Sequence, residues 1–155
     1  MNENNLTELN GIQLFKNLKS LALRKNSISK IDSIDEIIYL NFLDISFNKL
    51  RVIERSNLGI LPNLKTLLGD GNFLKNVNAF SKLQSLNYLS LENNKISESS
   101  NLDKLAYLEN LVDLNISNNP ISKISGYRSN TVKKFVYLLK LDKLEISKEE
   151  RENAF

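Results

Sequence analysis

One motif recurs five times along the chain: LKSLALRKNSI from Leu18, LNFLDISFNKL from Leu40, LKTLLGDGNFL from Leu64, LNYLSLENNKI from Leu86 and LVDLNISNNPI from Leu111. All five fit LxxLxLxxNxL. Their asparagines, Asn26, Asn48, Asn72, Asn94 and Asn119, stand 22, 24, 22 and 25 residues apart. A helix places apolar residues at i, i+3, i+4 and i+7 and has no reason to reset at an asparagine at such intervals. Repetition at this period specifies a quasi-one-dimensional stack, in which each repeat buries its apolar face on its neighbours.

Within LxLxx the leucines alternate with other residues at period two. A short strand therefore directs Leu21 and Leu23, or Leu89 and Leu91, into a core and the intervening side chains outward. Where the strand ends the backbone turns inward, and its peptide groups need partners. An asparagine side chain carries an acceptor oxygen and a two-hydrogen amide, enough to serve N–H and C=O groups of its own and the adjoining turn. The five asparagines are expected to form a ladder. Between them the apolar residues fall every third position, as in Ile28, Ile31, Ile34, Ile37 and Leu40, or Leu74, Val77, Phe80, Leu83 and Leu86. That period suits 3₁₀ or short helical turns laid edgewise on the core, on the convex side of an arc.

Leu6, Leu9, Ile12, Phe15 and Leu18 carry the same period toward the N-terminus, so residues 1–17 read as a half repeat ahead of five repeats in residues 18–125. Insertions near Arg55 to Gly59 and near Ser99 to Leu102 break the spacing on the convex side, where loops are tolerated. Gly69 stands where leucine is usual, and a dent or a compensating neighbour is expected there.

Composition excludes much else. With 155 residues, 41% of them apolar, the chain suits one soluble domain. It has no cysteine and no histidine, which removes disulfides, thiolate metal sites, the commonest metal ligand and the commonest general base. Its five glycines are scattered singly, and no nucleophile stands with a base. Neither an enzyme nor a metal or cofactor site is expected. No apolar run is long enough to span a membrane, and MNENNLTELN lacks the features of a signal peptide. The expectation is an intracellular protein, cytoplasmic or nuclear, away from the membrane. The 21 basic and 18 acidic residues are interspersed, so nucleic acid is not expected as a direct ligand. The expected partner is another protein, presenting a peptide, helix or domain to a chain that is monomeric on its own.

A solenoid leaves the apolar face of its last repeat bare unless a terminal unit covers it. After Ile124 the asparagine spacing stops, and the chain reads GYRSNTVKKFVYLLKLDKLEISKEER. Tyr127, Val132, Phe135, Leu138 and Leu141 are spaced for a helix face followed by a final strand, so residues 126–155 read as a C-terminal cap. In this reading the Tyr127 ring packs on the last repeat and Arg128 ties down carbonyls. The repeat length, NPI at Asn119 to Ile121, Tyr127-Arg128, Leu141-Asp142 and Glu150-Arg151 resemble the intracellular leucine-rich repeat class typified by regulators of protein phosphatase one. The cap is similar to that of the spliceosomal A-prime protein, acidic leucine-rich nuclear phosphoproteins and dynein light chain relatives. The resemblance implies an α/β leucine-rich repeat solenoid with a curved parallel sheet on its concave side, 3₁₀ or helical turns on its convex side and a helical C-terminal cap. It also implies a non-catalytic arc that presents its concave sheet to another macromolecule.

The outward strand positions then become candidate contacts. Phe42, Leu68 and Tyr88 are large apolar groups on neighbouring strands, of the kind that dominates interfaces. Phe47 either joins them or fills a gap between strands. Asp44, Asp70, Glu92 and Asp113 run beside them, and Lys19, Arg24 and Lys25 mark the opposite end. A partner with an apolar anchor and a basic flank fits such a face. The expected function is a protein-binding adaptor or regulatory scaffold. The alternative, following the resemblance to the spliceosomal A-prime protein, is a ribonucleoprotein component that grips an RNA-binding partner.

Overall fold

The computed structural model describes all 155 residues. Each LxL segment forms a strand of three residues: β1 Ser20–Ala22, β2 Phe42–Asp44, β3 Thr66–Leu68, β4 Tyr88–Ser90 and β5 Asp113–Asn115. They pair in parallel and in chain order, with Leu21, Leu43, Leu67, Leu89 and Leu114 in register. Two further strands, β6 Lys140–Leu141 and β7 Leu144–Glu145, complete a seven-stranded sheet. β6 runs parallel to β5, with Leu141 opposite Leu114, and β7 turns back antiparallel to β6. The result is a solenoid with a curved, mostly parallel sheet.

The opposite side carries 3₁₀ turns at Ile12–Leu14, Asn78–Lys82 and Pro120–Lys123 and the short helices α1 Arg55–Leu58 and α2 Ser100–Leu105. Both insertions have become helices. α1 is held by a capping box, in which the Glu54 N–H donates to Asn57 Oδ1 at 2.9 Å and the Glu54 side chain accepts in return. Between sheet and turns lies one core of 36 buried apolar residues. Every member of the period-three series from Ile28 to Leu40 and from Leu74 to Leu86 belongs to it. The leading series departs from this: Phe15 is 57% exposed, because no earlier repeat lies beyond it to cover the ring. At Gly69 an added Cβ would sit 2.9 Å from Leu91 Cδ2. The leucine of the next repeat occupies the space that the glycine leaves.

The asparagines bond in one pattern. Asn94 Nδ2 donates to Leu91 O in its own turn and to Gly69 O of the preceding repeat, both at 3.0 Å, while its Oδ1 accepts from Leu74 N at 3.0 Å. Asn48, Asn72 and Asn119 use the equivalent partners one repeat apart. Asn26 has no preceding repeat. Its amide donates to Met1 O and its oxygen accepts from Leu6 N, and Glu3 N donates to Arg24 O beside them. The first six residues thus supply the peptide groups that a preceding repeat would have offered.

At the other end the structure corrects the expected single helix face. Helix α3 spans Tyr127–Lys134 and stops there, so Phe135, Leu138 and Leu141 are not on it. With Val132 they keep the period of three seen between the other asparagines, and all four are buried. The segment is a sixth, shortened turn that delivers β6 to the sheet. Asp142, at φ +52°, then substitutes its side chain for a strand: Oδ1 accepts from Ile116 N at 2.8 Å, and Oδ2 accepts from the Tyr127 hydroxyl at 2.8 Å. Arg128 donates to the carbonyls of Leu141 and Glu145 and pairs with Glu150. A terminal helix, α4 Lys148–Asn153, was not expected. It carries Arg151, whose guanidinium donates to Val132, Phe135 and Leu138 carbonyls. Val132 O is left open where α3 ends, and Phe135 O also accepts from Leu138 N.

Candidate functional site

Parallel pairing in register sorts the outward side chains into rows across the concave face. The first row is Ser20, Phe42, Thr66, Tyr88, Asp113 and Lys140. The second begins Ala22, Asp44, Leu68, Ser90 and Asn115. Phe42 and Tyr88 therefore share a row with only Thr66 between them, and Leu68 sits diagonally between the two in the next row. All three are half-buried. They form one apolar patch at the centre of the sheet rather than three isolated groups.

The acidic residues do not form one strip. Asp113 lies in the first row, Asp44 in the second, and Asp70 and Glu92 beyond the strand ends. Asp44 is buried, and its Oδ1 accepts from Ser46 N at 2.9 Å. Such a short side chain prefers its own turn over a partner. Asp70 Oδ1 accepts from the Ser90 hydroxyl at 2.5 Å and from Glu92 N at 2.8 Å. Glu92 accepts from Asn115 and Asn118 and pairs with Lys143 at 2.6 Å. These three carboxylates are engaged within the fold. Asp113, beside Tyr88, makes no side-chain hydrogen bond and has only the Lys140 charge across the pair β5–β6.

Two of the three basic residues at the opposite end, Lys25 and Arg24, are engaged too. Lys25 pairs with Glu3 at 2.8 Å, and the Arg24 guanidinium lies 4.4 Å from the centre of the Phe47 ring. Phe47 in turn covers Gly71, where an added Cβ would meet its Cδ1 at 2.6 Å. Gly71 at φ +64° and Phe47 at φ +55° occupy the same turn position in adjoining repeats. The missing side chain at Gly71 leaves room for the ring. Phe47 thus packs over Gly71 beyond the end of β2, outside the rows that hold Phe42, Leu68 and Tyr88, and remains 41% exposed.

Lys140 and Lys143 enter this face through β6 and the turn after it. Neither stood among the expected site residues, and the spacing of Leu138 and Leu141 was the signal that could have placed them.

Burial pushes the carboxyls of Asp70 and Asp113 and the Tyr88 hydroxyl above their usual pKa values. Glu92 is held below the usual range, chiefly by the hydrogen bond from Lys143.

The leucine-rich repeat family model matches residues 38–155. The chain belongs to the leucine-rich repeat family. No curated protein matches the sequence. Among solved structures, a chain in the crystal structure of the Drosophila melanogaster SNF/U2A' complex is similar to this leucine-rich repeat chain, with a TM-score of 0.84 and 26% sequence identity over 96% of this chain and 91% of that one.

Asp70 offers a pH test of the repeat-to-repeat network. Its raised pKa means that the folded chain takes up this proton before the unfolded chain does, so the wild type gains stability from Asp70 as pH falls through the raised value and loses it as pH rises. Asp70→Asn keeps an oxygen acceptor and removes the desolvated charge. Urea denaturation is expected to find the variant at least as stable as wild type at neutral pH, with its lead shrinking in acid. A variant less stable by more than about 1 kcal/mol at neutral pH would mean that the hydrogen bonds to charged Asp70 outweigh its desolvation.

Proposed function

We propose that the protein is a non-catalytic adaptor that receives a helix or extended peptide of a protein partner on its concave face, with an apolar side chain seated among Phe42, Leu68 and Tyr88. The observation that carries this reading is the patch itself. Three large apolar side chains converge on the open face of a sheet whose other charged positions are mostly occupied internally. A partner approaching there displaces water from half-buried apolar surface without breaking an ion pair. Asp113, the carboxylate with no hydrogen bond of its own, gives a basic residue of the partner a place beside Tyr88. The likeness to a chain from the SNF/U2A' complex supports an assembly role.

Truncation of anchors at the centre of an interface commonly costs about 2 kcal/mol or more. Phe42→Ala with Tyr88→Ala is therefore expected to weaken capture of the natural partner by about tenfold or more. Both side chains point away from the core, so circular dichroism should show an unchanged fold. Lys30→Ala with Lys75→Ala, on the far side, should leave capture unchanged. Normal capture by the folded Phe42/Tyr88 variant would sink the concave-anchor reading.

The same likeness favours the second reading, a ribonucleoprotein component that grips an RNA-binding partner. Salt separates the two: a complex with direct RNA contact weakens steeply with ionic strength, and an apolar docking site does so much less.

A further inference from the structure

The two insertions that break the repeat length stand on either side of one open cavity on the convex face. Its volume is about 570 Å³, and it is lined by Arg55, Ile60, Ser81, Lys82, Gln84, Lys104 and Tyr107. Arg55 opens α1, Lys104 lies on α2, and Lys82 ends the 3₁₀ turn between them. The two helices stand as walls over that turn.

Three cations from three successive repeats thus converge on one hollow, although basic and acidic residues alternate freely in the sequence. No acidic side chain lines it. Glu54, at the head of α1, caps that helix, and Asp103 on α2 pairs with Lys134. Arg55 and Lys82 make no ion pair, and Lys104 donates only to the neutral Asn78 Oδ1 at 2.7 Å. Tyr107 is 75% exposed and Ile60 66%, leaving an aromatic ring and an aliphatic wall open beside the charges.

We propose that this cavity binds single-stranded nucleic acid, with phosphates on Arg55, Lys82 and Lys104 and a base stacked on Tyr107. Exposed cations of this kind gain little from single carboxylates in water. A polyanion differs, because each phosphate neutralised releases condensed counterions and the gain accumulates along the strand. An open aromatic ring beside the charges is the second element of such sites, since every base has a π-face. The site is separate from the concave patch and does not depend on the reading given for it.

The test is fluorescence anisotropy of the full chain with labelled oligouridylate and oligothymidylate of about 12 nucleotides, over a range of salt. At least one oligomer is expected to bind, with log K falling against log salt at a slope near −2, about 0.7 for each of three cations. The triple variant Arg55→Gln, Lys82→Gln, Lys104→Gln should weaken binding by about tenfold or more and flatten that slope. Tyr107→Ala should weaken it by about fivefold or more at unchanged slope, and Tyr107→Phe should restore it. A charge-matched control, Lys30→Gln, Lys75→Gln, Lys123→Gln, should keep the wild-type affinity, as should the Phe42/Tyr88 variant. The ratio of the two oligomers identifies the preferred sugar. Equal loss in the control triple, no binding of either oligomer at low salt, or binding of a glutamate-rich peptide at this cavity in preference to both oligomers would overturn the proposal.

Discussion

A chain ended at Ser125 is expected to lose its fold, giving aggregate by size-exclusion chromatography and no cooperative melt by circular dichroism. The deletion removes Val132, Phe135, Leu138 and Leu141, all buried in the core. At about 1.5–3 kcal/mol for each large apolar side chain buried, they contribute roughly 6–12 kcal/mol. That is as large as the entire stability of an ordinary domain, about 5–15 kcal/mol. The deletion also bares Leu114, Ile116 and Ile121, turns β5 into an unpaired edge and deprives Ile116 N of Asp142 Oδ1. Because each repeat rests only on its neighbours, an unprotected end propagates disorder inward. A truncated chain that remains soluble with the melting temperature of the full chain would show residues 126–155 to be an appendage.

The fold was legible in the sequence because its two periods serve different physical needs and neither is shared with a helix. Alternation at LxL marks the strands, and the interval of three marks the turns behind them. The end of the last helix face was misplaced for a related reason. Tyr127 and Val132 do lie on a helix, and extending that face through Phe135 and Leu141 hid a return to the interval of three at Val132, Phe135, Leu138 and Leu141. Lys140 and Lys143 were lost with it. Which outward residues share a row also follows from the motif, once strands pair in register. Which of them are free does not. Asp70 and Glu92 are engaged by Ser90, Asn115, Asn118 and Lys143, partners 20 residues or more away along the chain, and the Phe47 ring has its place only because the next repeat has Gly71. The convex cavity was hidden likewise. Arg55, Lys82 and Lys104 are unremarkable in a sequence of mixed charge, and only the stacking of repeats brings them together.

Asn94→Ala is expected to destabilise the chain by about 1–3 kcal/mol in chemical denaturation. Asn94 is 2% exposed, so the groups it serves are out of reach of bulk water. Alanine leaves Leu74 N without an acceptor and Gly69 O and Leu91 O without this donor. A buried polar group stripped of its partner costs about 1–3 kcal/mol; here that group is Leu74 N, because Gly69 O still accepts from Asn72 Nδ2 and Leu91 O from Asn119 Nδ2. Leu74 N and Gly69 O belong to the preceding repeat, so the substitution loosens the joint between two repeats as well as a single turn. Asn94→Asp separates the two halves of this argument. Its carboxylate keeps the acceptor for Leu74 N but offers no donor to the two carbonyls and places a charge in the core, so at neutral pH it should be no better tolerated than alanine. If Asn94→Ala unfolds at the same denaturant concentration as wild type with an unchanged slope, the side-chain bonds between repeats carry no net stability, and the stack is held by its leucines alone.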